Sequence, residues 1–484
     1  MEDLVQIALQ AALNAGASYA DVRFVDRASE DVQVKNGTVE GLSASESRGI
    51  GIRVIADGAW GFASTSELDA EAMRETAALA VRIARASATQ LLKPVELAPV
   101  EPAVDVVHHT AKQDPFEVPM EERISLLMDC DKEMGAVEGV RVREGYINLY
   151  RQDQLFVSSE GAHIREERIE TGAGIEATAV APDGSETQRR SYPSSHGGQM
   201  GTRGWELVEE LDLTAEAHRV AEEAVQLLSA EHCPAEETDI IIMGSQLALQ
   251  LHESCGHPIE LDRVLGTEAS YAGTSFLTPE KLDEFHYGSE AVNITADATI
   301  PGGLGSFGYD DEGVPGQRSE IVTEGVFRGY IMSRETAPAV GRLSNGAMRA
   351  DGWNRIPIIR MTNVNLEPGD WSLEEIIADT KRGLLLNTNT SWSIDDKRLN
   401  FQFGVEMAHR IEDGVVGDIV RNVTYSGITP QFWGSCDAVA KRDEWMVWGI
   451  PNCGKGEPGQ SAHVGHGVSH ARFRNVKVGV MEEG

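Results

Sequence analysis

Residues 252–257 read His-Glu-Ser-Cys-Gly-His, two histidines with a glutamate directly after the first. Imidazole nitrogens bind divalent metals, and a carboxylate next to a ligand can take the proton of an activated water. In the familiar zinc-peptidase helix the two histidines lie four residues apart and share a face. Here they are five apart, which on a regular helix turns His252 and His257 about 140° away from each other. Chelation by this pair therefore requires an irregular turn. Gly256 offers one route, because glycine readily takes the left-handed conformation that ends a helix. A π-type turn, with its i to i+5 bond, offers another. The alternatives are two unrelated histidines, or His252 paired with Cys255 at i+3.

A hydrolytic zinc site uses three protein ligands and keeps one position open. Two places near the C-terminus can supply the third. One is Cys453 in WGIPNCGKGEPGQ, where glycine and proline predict a tight loop that exposes the thiolate. The other is His463, His466 and His470, in a glycine-rich stretch expected to be solvated. Residue type and spacing leave both open. Glu253 is the candidate general base, and Glu260, Asp262, Asp310, Asp311 and Glu312 are candidates for supporting or structural roles. GLGSFG, Gly303 to Gly308, matches a dinucleotide fingerprint, but glycine and proline follow where a helix must begin, and three carboxylates stand where phosphate would sit. A loop near the active site is the expected reading. No G-x-S-x-G elbow occurs, and Cys255 has no activating context beyond the histidines, so cysteine–histidine hydrolysis is a minor alternative.

The elements that must position these residues read as α+β. Apolar residues at helical spacing predict a helix over 2–15, another near 68–86, a third over 120–134 and a fourth over 205–228. Alternation with Asn36-Gly37 and Asp57-Gly58 turns predicts an antiparallel meander after residue 19, and 140–186 alternates again. Residues 94–115, rich in proline, read as a connection. An apolar strand at 239–243 leads into a helix with Ser245 as expected N-cap and Leu247, Leu251 and Ser254 as its buried stripe. Beyond it the chain is mostly short strands (319–332, 358–365, 383–390, 401–411, 417–423 and 473–480) with one helix at 373–379. A boundary near 231–238 divides the chain into an N-terminal α+β domain, 1–232, and a β-rich C-terminal catalytic domain, 233–484.

Of 484 residues, 41% are hydrophobic, enough for sizeable cores, while the formal charge of −35 argues against nucleic acid and anionic membranes as partners. The acidic start Met1-Glu2-Asp3 and strand-sized apolar runs point away from a membrane and towards the cytoplasm. Five cysteines without framework spacing suit a reducing compartment.

Together, HESCGHPIELD, GYDDEGVPGQ, PNCGKGEPGQ and RGIGIRVIADGAWGFAST resemble the recurrent stretches of the TldD/PmbA metallopeptidase family. The resemblance runs through essentially the whole chain. Because the histidine motif is retained, the chain is similar to the TldD-type catalytic subunit and not to the partner type that lacks it. The resemblance implies zinc held by His252, His257 and Cys453, with Glu253 as general base. It also implies a dimer, either with a PmbA-type (TldE) subunit or with itself, and peptide substrates: unfolded segments and precursors of modified peptides. The rival reading is a non-catalytic peptide-binding or assembly subunit.

Overall fold

The computed structural model describes residues 1–109, 111–195 and 197–479. An eight-stranded sheet dominates the N-terminal half. Ala59–Thr65, Thr38–Ala56, Tyr19–Lys35, Val140–Ser158, His163–Val180 and Val104–His108 follow one another in hydrogen-bonded order, and Thr187–Tyr192 and Gln199–Gly201 also pair with His163–Val180. The two hairpin turns form because Asn36 and Gly37 (φ 48° and 73°), like Asp57 and Gly58 (51° and 79°), take positive φ, matching the twist of the flanking strands.

Helices Glu2–Asn14 and Ala70–Ala88 bury Val5, Ala8, Met73, Ala77 and Ala80 against this sheet. Helices Met120–Gly135 and Leu213–Ser229 bury Leu127, Val220 and Ala224 over its second half. Two expectations are corrected. The connection 94–115 contains the strand Val104–His108, which pairs parallel to His163–Val180. The helix over 205–228 is two, Glu206–Leu211 and Leu213–Ser229, separated at Asp212 (φ 45°), whose left-handed backbone ends the first.

Among the described residues the C-terminal half holds two larger sheets and a two-stranded one, Met348–Arg349 with Ile358–Ile359. Strand Glu236–Ile242 lies inside an eight-stranded sheet, between Arg382–Ile394 and Ala471–Val478. A six-stranded sheet ends in Asn363–Leu366, Gln460–Val468 and the edge strand Met446–Lys455. Helix Gly244–Leu251 contributes Leu247 and Leu251 to one core with Ile240 and Leu386 of the first sheet and Ile294, Val364 and Val464 of the second. A fully buried leucine is worth roughly 1.5–3 kcal/mol, so the stripe holds the helix firmly in place.

Asp310–Glu312 joins the halves. Asp311 pairs with Arg23, Glu312 with Arg53 at 3.2 Å, and Asp310 accepts three backbone N–H groups, from Glu312, Val314 and Met348. This acidic loop is a structural clasp. No helix among the described residues is long and apolar enough to cross a membrane.

Candidate metal centre

The spacing problem of the two histidines is solved in the backbone. Helix Gly244–Leu251 runs into a π turn over His252–Gly256, in which the His257 N–H donates to the His252 carbonyl. Pro258 explains why. It has no N–H, so the ordinary bond back to the Ser254 carbonyl cannot form. The Tyr287 hydroxyl donates to that carbonyl instead, at 3.0 Å, and Trp433 Nε1 donates to the Ser254 hydroxyl at 2.9 Å.

Gly256 is not left-handed: its φ is −55°. Its role is close approach, because a Cβ there would lie 2.4 Å from Met361 Sδ. Ser245 does not cap the helix. The first turn begins at Gly244, whose N–H donates to His470 Nδ1 at 3.2 Å.

The widened turn brings the His252 and His257 rings to 4.9 Å, edge to face. Cys453 joins them. It lies in the strand Met446–Lys455, 3% exposed, and not in a solvent-facing loop as its glycine-rich surroundings predict. Its Sγ is 3.8 Å from His257 Nε2, and the three ligand atoms lie within 4.8 Å of one another. Donors at tetrahedral angles round a zinc-sized ion stand about 3.3–3.6 Å apart, so the spacing needs only a small contraction.

The protonation pattern also fits an ion. His466, fully buried, has Nδ1 3.0 Å from the Val364 carbonyl and Nε2 2.8 Å from His252 Nδ1. Burial, and His252 next to it, hold the His466 pKa well below its ordinary value, so the ring is neutral. Its single proton goes to Val364, its Nε2 accepts from His252, and His252 Nε2 is left with a free lone pair. His257 places Nδ1 3.0 Å from Glu260 Oε2, which leaves its Nε2 on the Cys453 side. Glu260 is itself fully buried. Burial alone would raise its carboxyl, but Lys455 and His257 outweigh that and hold it down to about 2. Lys455 is anchored on Asp262 at 2.7 Å. Burial likewise acts to raise the Cys453 thiol, and the Arg360 guanidinium and His257 bring it below the ordinary value. Two imidazoles, each fixed through its Nδ1, and a cysteine thiol held below its ordinary pKa make a donor set for a borderline divalent cation.

Glu253, 6% exposed, is adjacent to His252 and forms an ion pair with Arg398 through Oε2. Burial works to raise its carboxyl, and the positive groups round it, the Arg398 guanidinium among them, bring it below its ordinary value. Arg398 sits at φ 63°, an uncommon backbone for a non-glycine residue, with Nε buried and unpartnered among the described residues.

The other candidates go elsewhere. Cys255 lies in the apolar core, where burial pushes its thiol up to about 12. His463 binds Glu170, and His470 serves the start of the helix. The glycine-rich histidine segment is not solvated: it is the strand Gln460–Val468. The GLGSFG loop packs on the strand beside it, where a Cβ on Gly305 would lie 2.4 Å from the Thr362 backbone. Sequence reasoning missed His466 as a partner to a ligand and missed Arg398 altogether. Pro258, directly after the second histidine, was the overlooked signal for the π turn.

A buried cluster of two histidines and a cysteine with a glutamate beside it, on an α+β frame, is a donor set that could hold a divalent metal ion. Three segments match PmbA/TldA metallopeptidase domains: residues 20–84 domain 1, 113–230 the central domain, and 235–480 the C-terminal domain. The chain belongs to the PmbA/TldD metallopeptidase family. A metalloprotease of Methanothermobacter thermautotrophicus is 32% identical, covering 95% of each chain. A zinc metalloprotease TldD homolog of Saccharolobus solfataricus is 24% identical over 96% of this chain and 97% of its own. Among solved structures, TldE from Thermococcus kodakarensis shares the fold with a TM-score of 0.73 at 19% identity, covering 99% of this chain and 100% of its own.

Proposed function

We propose that the chain is a zinc-dependent peptidase that hydrolyses unfolded or extended peptides and peptide precursors. The convergence of His252, His257 and Cys453, with Glu253 beside them, carries the reading. In this proposal the three residues hold the metal. Bound there, zinc supplies Lewis acidity, lowering the pKa of water in the site towards 7 and polarising the scissile carbonyl. Glu253 takes the proton of the attacking water at Oε1, which accepts no hydrogen bond among the described residues, and returns it to the leaving amine. Arg398 fixes the orientation of the carboxylate by holding Oε2.

Substrate form follows from burial. Glu253, His252, His257 and Cys453 are all at most 6% exposed, so a folded domain cannot bring a carbonyl to them, whereas an extended strand can. The strand Met446–Lys455, which carries Cys453, is the last of its sheet, but Gln199 donates to the Val447 carbonyl and accepts from the Gly449 N–H, and Arg360 donates to the Cys453 carbonyl, so an extended peptide is held by other groups. The TldE-like fold supports pairing with a TldE-type subunit, with self-association as the alternative.

The test is cleavage of an unstructured peptide by the purified chain, alone and with a TldE-type partner, before and after a strong chelator. Cleavage lost on chelation and restored by one equivalent of zinc is expected; cleavage indifferent to the chelator overturns the proposal. A second outcome concerns tautomer control. His466→Leu is expected to weaken metal affinity about 10–100-fold in a chelator competition, while His463→Leu leaves it unchanged.

A further inference from the structure

A polar cleft lies between the halves of the chain, behind the metal cluster. Tyr150, Arg168 and Glu170 line it from the N-terminal sheet, and Arg349, Ala462 and His463 from the C-terminal half. It shares a wall with the cluster. Ala462 is the register partner of Cys453, and Arg349 Nη2 donates to the carbonyl of Met361, the residue that packs on Gly256.

The lining carries four carboxylates, Glu166, Glu170, Asp311 and Asp351, against three arginines, Arg27, Arg168 and Arg349, so what matters is which of them already have direct partners. Each lining carboxylate is already committed. Glu166 binds His109 at 2.8 Å and the Gly308 N–H at 3.2 Å. Glu170 binds His463 at 2.5 Å, Asp311 takes Arg23 and the Ala350 N–H, and Asp351 takes the Ser461 N–H at 3.0 Å. Arg27 is held by Gln152 and lies 3.9 Å from Asp351, whereas the other two arginines have no carboxylate within 4.0 Å among the described residues. Among the described residues Arg168 makes no hydrogen bond and no ion pair within 4.0 Å. Arg349 reaches only carbonyls, of His463 at 2.8 Å and of Met361, and its Nε is buried with no partner. Burial, and Arg168 beside it, push the Arg349 pKa down to about 9. Glu170, itself engaged with His463, acts on both arginines without a direct contact, and an incoming carboxylate, planar and able to take a guanidinium fork, would give them the direct partner they lack.

We infer that this cleft is a carboxylate-binding subsite for the peptide substrate, with Arg168 as the anchor and Arg349 in support. It takes a free C-terminal carboxylate or an acidic side chain, so the peptidase discriminates by charge on one side of the scissile bond. The inference rests on the peptidase reading above and deepens it.

The experiment measures binding, not cleavage, using the zinc-loaded Glu253→Gln chain. Four unstructured pentapeptides are titrated, with a C-terminal acid or amide and with Gln or Glu at one internal position. Peptides bearing a carboxylate are expected to bind about tenfold or more tightly than the uncharged Gln amide. Arg168→Gln is expected to abolish that preference, and Arg168→Lys to keep part of it. A gain confined to C-terminal acids identifies the chain end as the ligand; a gain confined to Glu peptides identifies the side chain. Equal binding of all four peptides, or an undiminished preference in folded Arg168→Gln, overturns the subsite and leaves the peptidase reading standing. Absence of any peptide binding by a zinc-replete chain removes both.

Discussion

Glu253→Gln is expected to lower peptide cleavage about 10²–10⁴-fold, the usual contribution of a positioned general base, while the chain retains its metal. Glutamine keeps the shape of the side chain, and its carbonyl can still accept from Arg398, so the ion-pair partner is not left without an acceptor. The substitution removes one property, the capacity to take a proton. Two readouts check it together: metal per chain by elemental analysis, and kcat on an unstructured peptide at saturating concentration. A loss in kcat with metal content unchanged is the expected pair. Substantial remaining turnover would contradict the assigned role, and simultaneous metal loss would show that Glu253 holds the site together without acting as its base.

Cys453→Ala is expected to remove the metal and the activity in one step. Binding free energies of structural zinc sites run to about 10–16 kcal/mol for four ligands, so losing one of three donors costs about 3 kcal/mol or more, on the order of a 10²–10³-fold loss in affinity. The cavity left is small, because only the sulfur of an already buried side chain is removed, leaving a methyl group. The fold should persist, which thermal unfolding in the presence of chelator verifies: wild type and variant should then melt alike. Under metal-replete conditions only the wild type should gain stability, because ligand binding to the native state alone raises its midpoint. Equal metal content in the two chains would sink Cys453 as a ligand.

Local features were legible in the sequence. Helix Glu2–Asn14 announces itself by periodicity, and the hairpins at Asn36-Gly37 and Asp57-Gly58 by residues that tolerate positive φ. The histidine pair was legible as a conflict between spacing and chelation. Its resolution depended on Pro258 withholding an N–H and on Tyr287 arriving from elsewhere to satisfy Ser254. The strands carrying Cys453 and His466 were hidden for a different reason. Their glycines signal loops, yet Gly465 and Gly467 serve close packing: a Cβ would lie 2.1 Å from Asn363 Oδ1 in the first and 1.9 Å from Trp445 Cζ2 in the second. His466 and Arg398 approach their partners from 214 and 145 residues away in the chain. No local pattern encodes a meeting over that distance.

The hairpin of Met446–Lys455 and Gln460–Val468 carries both Cys453 and His466. Side chains alternate with a period of two along a strand, so a slip of one residue in this pairing would turn a ligand, or the partner of a ligand, to the wrong face. An ion bound by the native cluster therefore discriminates between registers that hydrophobic burial alone separates poorly in a glycine-rich hairpin. On the proposed reading, metal acquisition doubles as a proofreading step in folding: a chain assembled out of register would stay both empty and inactive, and the event that completes the site would certify the sheet.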